Sequence, residues 1–475
     1  MKKFESVKEL ERFYNKFKGQ SLKEIRDYIH QEYPTISLST NKGIVGQVLE
    51  ALIGNAPNSD PNPDVQYLNV ELKVLPLRKI GDKVQPKERS KIKSLNYNTI
   101  LDQKWHTSDV KAKMNKMLFL LYEQPTGKTY KDWQDLTFKG TMFYELEKEK
   151  PDVVQEDWKG IYYKVKSEIA HEISEGDSMI LGASTSGAGK IIKYGNNKEA
   201  KQRSYSLKHS YLKVFYSEKI RKQKFTSIGI PKSIEPQDYI LNILNKKLKG
   251  KGLKNVVDKY NVKFSESAKS SFPILINKVL NIKDKAEIRE LAENNIIIKT
   301  VPIKPNGKPW EAMSFPKFSL VDLIYEDWNG DKNSQSIFRS IISQGFIFLP
   351  VIKEKYKPKG AKNYKYMDWS TWVIGQPVYW KASEKELKTI MEEWKKAKNI
   401  VEKEVKVEDV SWGEGTRQNN NLLKMSETKI IHIRPHTSNS KNLDIPYQLY
   451  TEGRVSICWQ SFWLNKDFVE SVIRK

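Results

Sequence analysis

Between positions 50 and 73 the chain gathers Glu50, Asp64, Glu71 and Lys73. Most of the stretch NPDVQYLNVELKVLPL (62–77) reads as a buried strand, with Tyr67, Val70, Leu72, Val74 and Leu75 apolar or aromatic. Side chains alternate across a strand, so Glu71 and Lys73 share one face while Val70, Leu72 and Val74 point into the core. Pro63 holds Asp64 near the start of that strand. Clustered carboxylates repel, and one of them is driven toward its neutral form. A divalent cation removes that cost. Magnesium takes octahedral oxygen ligands, keeps several waters and needs only one or two carboxylates. A phosphodiester oxygen and an attacking water complete such a shell, and the ion lowers the water's pKa and offsets charge on phosphorus. Lys73 is placed to orient the water or to stabilise the developing negative charge. The simpler reading is a Glu/Lys pair on a strand facing water. ELK alone is common, but PD, a gap of six and then ELK, preceded by Glu50, is more specific.

Chain-wide features set the context. The 475 residues suggest about two to four domains. Hydrophobic residues at 38% and charged residues at 29% fit a soluble globular protein. The 82 Lys and Arg outnumber 58 Asp and Glu, for a net charge of +24, which favours a polyanionic partner through counterion release. A surplus of lysine kept for solubility is the competing explanation. Cys458 is the single cysteine, so no internal disulfide forms, as suits a reducing cytosol. No Cys/His group has zinc spacing. The N-terminus, MKKFESVKELERFY, reads as a charged amphipathic helix rather than a signal peptide. No apolar run approaches the length of a membrane span, MLFLLY (117–122) being among the longest. The expected location is the cytoplasm.

The elements that must position the carboxylates follow from pattern. Residues 1–30 read as helical. Ser39 or Thr40 is the expected cap of a second helix, NKGIVGQVLEALIG (41–54), ended by Gly54. VKAKMNKMLFLLYE (110–123) begins polar and ends as a continuous apolar run suited to a buried strand. FTSIGIPKSIEPQD (225–238) has no period and reads as a linker. An internal repeat spans the two halves. NVELKVLP (69–76) recurs as NIIIKTVP (295–302), LGASTSGAGK (181–190) as IRPHTSNSKN (433–442), and SYLKVFY (210–216) as FWLNKDF (462–468). The first offset is 226 and the other two are 252, so the second half carries an insertion, placed at the charged helical run 384–404.

KGIVGQVLE (42–50), PD (63–64), VELKVLP (70–76) and AKMNKMLF (112–119) resemble the motifs of the MutH mismatch-repair nuclease and of MutH-related restriction enzymes of the Sau-three-A type, which cut at GATC. The resemblance implies an α/β fold of the PD-(D/E)xK kind. It implies two tandem MutH-like restriction-endonuclease domains, each a mixed central sheet flanked by helices. The expected bounds are 1–224 for the catalytic domain, 225–238 for the linker and 239–475 for an inactive DNA-binding domain. Carried over by position, Glu50, Asp64, Glu71 and Lys73 form the catalytic set and Lys113 is a further active-site lysine. Asp64 and Glu71 bind Mg2+, with the carbonyl of Leu72, and Glu50 serves a second metal or a water. Lys42, opening KGIVGQ, touches phosphate, and Gly43 and Gly46 permit close backbone approach. For Lys113 the bland alternative is an ordinary surface lysine, and for the glycines plain helix packing.

The second half departs from this pattern. NIIIKTVP keeps a lysine as Lys299 but has Ile297 where Glu71 stands, and Glu290 falls opposite Asp64 with no PD before it. The expectation is a catalytically dead half that binds a second copy of the DNA site as an effector; a structural remnant is the alternative. Arg434, Thr437, Ser438, Asn439, Lys441, Trp463 and Lys466 are its expected DNA contacts, Arg434 offering a bidentate fork to guanine or phosphate. In the first half, GASTSGAGKIIKYG fails as a nucleotide-phosphate loop, because Ser184 stands where the first glycine belongs and Ile191 replaces the final Ser or Thr. That segment, with Thr185 and Ser186, is expected as a flexible loop at the DNA groove. Tyr211 is expected to sense adenine, with Lys213 beside it.

The combined expectation is a type II restriction endonuclease making Mg-dependent double-strand breaks at GATC, 5′ of the G. Partners would be double-stranded DNA, a second copy of the chain on DNA and a cognate DNA methyltransferase in the host, with no membrane. A strand-specific repair nickase uses the same centre. A non-catalytic DNA- or RNA-binding protein accounts for the charge but not for the acid/base set.

Overall fold

The computed structural model describes residues 2–57, 62–80, 83–125, 127–174, 177–231, 233–282, 286–329, 334–360, 364–412, 415–436, 445–449 and 453–474. The chain divides into two compact units, Met1–Gln223 and Lys224–Lys475.

Unit 1 opens with helices α1 (Val7–Asn15) and α2 (Leu22–Glu32), so the expected helical stretch is two helices broken at 16–21. Ser6 caps the first, and a Ser21–Glu24 capping box starts the second. Helix α3 (Ile44–Ala51) is capped by neither Ser39 nor Thr40. Its N-cap is Gly43, whose N–H donates to Asn41 Oδ1 at 2.8 Å, while Ser39 pairs with the Gln47 amide.

Strands β1 (Glu71–Ile80), β2 (Lys83–Pro86), β4 (Lys116–Glu123) and β5 (Thr137–Glu145) form a sheet in the order β2-β1-β4-β5. Strand β1 runs parallel to β4, Glu71 facing Met117, and β5 is antiparallel to β4. The polar start of the 110–123 segment is a short helix, α4 (Asp109–Met114), and its apolar run is β4, as the continuous hydrophobicity requires of a strand covered on both faces. Val70, Leu72, Leu118 and Leu120 pack with α1–α3 on one side of the sheet. Leu75, Leu77, Met117 and Phe119 pack on the other, with helix α5 (Pro151–Lys166) and helix α6 (His209–Lys219). A second sheet, in the order β3-β7-β6, joins them there: β3 (Ser90–Leu95), β6 (Leu181–Thr185) and β7 (Arg203–Leu207).

Unit 2 repeats this plan. Strand β8 (Ile296–Ile303) is parallel to β10 (Gly345–Ile352), which is antiparallel to β13 (Val378–Lys381). A second sheet runs β9 (Met313–Phe318), β15 (Gln460–Leu464), β14 (Ile431–Pro435). Helices α7 (Pro236–Leu248), α8 (Leu253–Lys259) and α9 (Ser271–Val279) cover one face of the first sheet. Helices α10 (Glu384–Lys403) and α11 (Lys466–Ile473) follow the same strands as α5 and α6.

Three expectations need correction. The run 384–404 is not the insertion. It is the counterpart of α5, and one buried carboxylate on each helix proves the match. Asp157 accepts from the N–H groups of Met179, Ile180 and Leu181 just before β6, and Glu393 accepts from Lys429, Ile430 and Ile431 just before β14. The third repeat also shifts. Leu207 pairs with Leu181 as Leu464 pairs with Ile431, so Tyr211 corresponds to Phe468 rather than to Trp463. Finally, 225–238 is not free linker. Phe225–Thr226 pairs with Glu287–Ile288, Ile228 N–H donates to Glu290, and Pro236 already begins α7.

Candidate active site

Why Asp64 stands seven positions before Glu71 is answered by a small loop. Val65 and Val70 exchange backbone hydrogen bonds of 2.9 and 3.2 Å around a single turn of 3₁₀ helix, Gln66–Leu68. Asn69 closes the turn in the left-handed region at φ 54°, a conformation asparagine tolerates better than most residues. The loop returns the chain so that Asp64 Oδ2 accepts the N–H of Leu72 at 2.8 Å. Asp64 therefore sits beside the first turn of strand that carries Glu71.

Glu71 is not a surface residue: it is 2% exposed. Its carboxylate is held by two ammonium groups. Lys73 Nζ lies 2.6 Å from Oε1, and Lys113 Nζ lies 2.8 Å from Oε1 and 2.9 Å from Oε2. Lys113 reaches it from α4, whose N-cap Ser108 accepts from Lys111 N and whose last turn enters the strand paired with β1. The surface-lysine alternative for Lys113 thus meets a buried ion pair.

Glu50, on the last turn of α3, completes the group electrostatically. Its carboxyl is pushed up to about 7, first by burial and then by the charge of Asp64, against the pull of Lys73. Asp64 is raised as well, by burial and by Glu71, with the Leu72 N–H opposing. Tyr14 lies beneath them, its hydroxyl donating to the Leu49 carbonyl at 2.9 Å and its own ionisation held well above the usual range by burial and then by the fields of Glu50 and Asp64. Sequence reasoning missed Tyr14, since nothing distinguishes it from the other apolar positions of an amphipathic helix.

In unit 2 the same positions have changed chemistry. Ile297 faces Phe346 as Glu71 faces Met117. Lys299 is kept, but it donates to the Ser314 carbonyl at 2.9 Å and burial holds its ammonium below the usual lysine range. Glu290 accepts from Ser227 Oγ, Ile228 N and Gly229 N and ties down the start of the unit.

The expected DNA contacts divide. Lys42 is exposed beside the N-terminus of α3, Thr185 is exposed at the end of β6, and Ser186 and Lys213 are half-buried. The 181–185 stretch is a paired strand rather than a loop. Tyr211 is only 3% exposed and stacks on Phe215 in the core, centroids 6.0 Å apart, so the expected contact with adenine has no surface to make it. Arg434 is exposed on β14 with its guanidinium 5.3 Å over the Trp463 ring. His436 adds a ring 6.0 Å from Trp463 and pairs with Ser461 at 2.9 Å. The shared face of Arg434, Ser461 and Trp463 is read from the cross-strand register, with Arg434 opposite Ser461. Lys466 is half-buried at the start of α11. Thr437, Ser438, Asn439 and Lys441 lie outside the described residues.

Known proteins match the chain over different extents. The family model for the DNA mismatch repair enzyme MutH matches residues 53–157, the segment that holds Asp64, Glu71, Lys73 and Lys113. The type II restriction enzyme Sau3AI of Staphylococcus aureus is 28% identical over 471 residues, covering 92% of this chain and 93% of that protein. The chain resembles the MutH and Sau3AI enzymes. The MutH relatives match a shorter stretch of the chain. MutH of Actinobacillus pleuropneumoniae serotype 5b (strain L20) is 32% identical over 115 residues, 24% of this chain and 49% of that protein. MutH of Haemophilus influenzae (strain ATCC 51907 / DSM 11121 / KW20 / Rd) is 27% identical over 140 residues, 30% and 60% respectively. Likeness to Sau3AI runs through both units, while the MutH family model matches within unit 1. Among the described residues no helix is long and apolar enough to cross a membrane.

Proposed function

We propose that this chain is a type II restriction endonuclease that hydrolyses both strands of duplex DNA. One observation carries the reading. Unit 1 assembles a buried carboxylate, Glu71, between Lys73 and Lys113, with Asp64 and Glu50 alongside, and unit 2 replaces that carboxylate with Ile297.

The donor set fits a divalent cation, Mg2+ by the family resemblance. Among the described residues no three acidic or histidine side chains form a ready-made cage. What the site offers instead is a group of carboxyls held partly toward their neutral forms, by burial first and then by charge, Glu50 by the field of Asp64 and Asp64 by that of Glu71. A cation relieves that repulsion. Asp64 and Glu71, with the Leu72 carbonyl, would hold it, and Glu50 would serve a second ion or a water. When bound, the ion lowers the pKa of water and offsets charge on the phosphorus. The protein's own part is electrostatic. Lys73 orients the nucleophile or stabilises the developing charge, and Lys113 fixes the Glu71 carboxylate through both oxygens.

With one centre per chain, a palindromic site needs two chains related by a two-fold axis on the DNA, or two successive cuts. Unit 2 binds a second copy of the site through Arg434 and Trp463 and acts as effector, and Thr185, Ser186, Lys42 and Lys213 lie along the DNA side of unit 1. GATC as the site, cutting before the G, and a protecting methyltransferase in the host follow the resemblance to the restriction enzymes. The decisive experiment is incubation of plasmid with purified protein and Mg2+, followed by sequencing of the ends. Double-strand breaks at GATC support the reading, nicks alone favour a repair nickase, and intact plasmid rejects an enzyme.

A further inference from the structure

Between β10 and β13 unit 2 carries a segment with no charged equivalent in unit 1. Residues 353–368, KEKYKPKGAKNYKYMD, hold six lysines against two acids, with three tyrosines among them. The matching connection between β4 and β5 in unit 1 has Lys128 and Lys131 balanced by Asp132 and Asp135, and Lys128 is paired with Asp135 at 3.0 Å. The extra charge of unit 2 is therefore not inherited from the shared fold.

The segment forms a hairpin of strands β11 (Lys355–Tyr356) and β12 (Lys365–Tyr366), antiparallel, with Lys355 opposite Tyr366 and Tyr356 opposite Lys365. Its base is fixed by cations resting on rings. Lys353 Nζ lies 3.4 Å from the Trp372 centroid and 4.9 Å from that of Tyr366. Lys355 Nζ lies 4.3 Å from Tyr366 and 4.6 Å from Trp310, and the Trp310 indole N–H donates to the Lys353 carbonyl at 2.8 Å. Burial pulls the Lys353 ammonium down to about 8. The outer part faces water: Lys357, Lys359 and Lys365 are exposed, as are Tyr356 at 49% and Tyr364 at 64%. Gathering like charges in this way repels, and a bound polyanion offsets that cost. Exposed ammonium and phenol hydroxyl groups on a fixed base match spaced phosphates rather than an apolar partner.

We infer that this hairpin is a second clamp of unit 2 on the phosphate backbone of duplex DNA, separate from the Arg434–Trp463 face. It lies at the C-terminal ends of β8 and β10. The vestigial site at Ile297 is at the N-terminal end, six residues earlier in β8, or about 20 Å along the strand. The clamp reads no sequence. It lengthens the footprint of unit 2 and adds salt-dependent affinity. The inference rests on the reading that the chain acts on duplex DNA.

The test uses the full chain carrying Glu71→Gln, so that the duplex stays intact, and a short duplex without GATC as probe. Affinity is measured across a salt series for three proteins: the Glu71→Gln parent, the parent with Lys357→Gln, Lys359→Gln and Lys365→Gln, and the parent with Lys388→Gln, Lys395→Gln and Lys396→Gln. The last three lysines are exposed on α10 and remove the same charge elsewhere in the unit. Each lost phosphate contact lowers the log–log salt slope by about 0.9, so the hairpin variant should lose about 2–3 in slope. Its affinity should drop at least tenfold at low salt, with the α10 variant near the parent. An unchanged slope in the hairpin variant, or an equal loss in both, overturns the clamp while leaving the nuclease reading intact. A parent that does not bind duplex at all removes the nuclease reading and the clamp together. Melting curves matching the Glu71→Gln parent exclude misfolding by the added substitutions, since all six lysines are exposed.

Discussion

Lys113 Nζ lies 2.8 and 2.9 Å from the two carboxylate oxygens of Glu71, 42 residues earlier in the chain. That bidentate grip, together with Lys73 on Oε1, gives a carboxylate that is only 2% exposed two ammonium partners. Removing one partner of a buried ion pair leaves the other undercompensated. Lys113→Met should therefore cut plasmid cleavage by about 100-fold or more, as loss of a preorganised electrostatic donor does elsewhere. DNA affinity should stay within a few fold, because Lys113 faces Glu71 rather than solvent. Single-turnover cleavage alongside a binding titration measures both, and near-normal turnover would falsify the role given to Lys113.

Asp64 and Glu290 stand seven positions before Glu71 and Ile297, and their carboxylates bond differently. Asp64→Ala should abolish cleavage with little change in melting temperature, since its main bond is to one N–H of a strand edge. Glu290→Ala should do the reverse. Its carboxylate accepts from the backbone of both Ile228 and Gly229, and unpairing such donors costs on the order of 1–3 kcal/mol. Unit 2 should melt earlier and be clipped sooner by protease near 227–231, with cleavage chemistry per folded molecule unaltered. Should Glu290→Ala instead stop cleavage in fully folded protein, the division of labour between the units is wrong.

The chemistry of β1 was legible from the sequence because period-two alternation is a strict rule of strands: Glu71 and Lys73 had to share a face, and Ile297 had to replace Glu71 in the repeat. The loop that returns Asp64 was not legible. It depends on a left-handed Asn69 and on two hydrogen bonds between Val65 and Val70, which no spacing announces. The third repeat was misaligned because aromatic and lysine residues recur in both copies. Only the strand register, Leu207 to Leu181 and Leu464 to Ile431, separates Tyr211 in a helix from Trp463 on a strand. The helix 384–404 looked like an insertion because its Glu393 and the equivalent Asp157 share a function, binding three successive N–H groups, without sharing a motif.

Arg434 rests its guanidinium on Trp463 in unit 2, whereas Glu71 and its lysines belong to unit 1. The proposed effector role of unit 2 predicts that plasmids with two recognition sites are better substrates than plasmids with one. Arg434→Ala should weaken binding to a duplex carrying the site by about 1–3 kcal/mol if the contact is to a base. It should also erase the advantage of the two-site plasmid while leaving the slower one-site rate in place. Equal wild-type rates on both plasmids would argue against an effector role. A loss of one-site cleavage to the same degree would move Arg434 into the cleaving complex.

His209 provides a pH test of unit 1 that does not depend on catalysis. Its Nε2–H donates to the Pro86 carbonyl at 2.8 Å, which fixes the neutral tautomer. Its pKa is driven down to about 3, by burial first and then by the charge of Lys213, with Arg78 and Arg89 adding to the effect and the Pro86 bond opposing it. An unfolded histidine titrates near 6.5, so between about 6.5 and 3 the unfolded chain binds a proton that the folded chain refuses. The sign follows from linkage. Stability from this residue is fully present above about 6.5 and falls as the medium is acidified, by up to about 1.4 kcal/mol per pH unit. His209→Gln retains an N–H donor for Pro86 and removes the titration. The drop in melting temperature between neutral and mildly acidic buffer should therefore be smaller in the variant than in the parent. An identical drop in both proteins means that His209 is already protonated in the folded state and that the Pro86 bond does not hold it neutral.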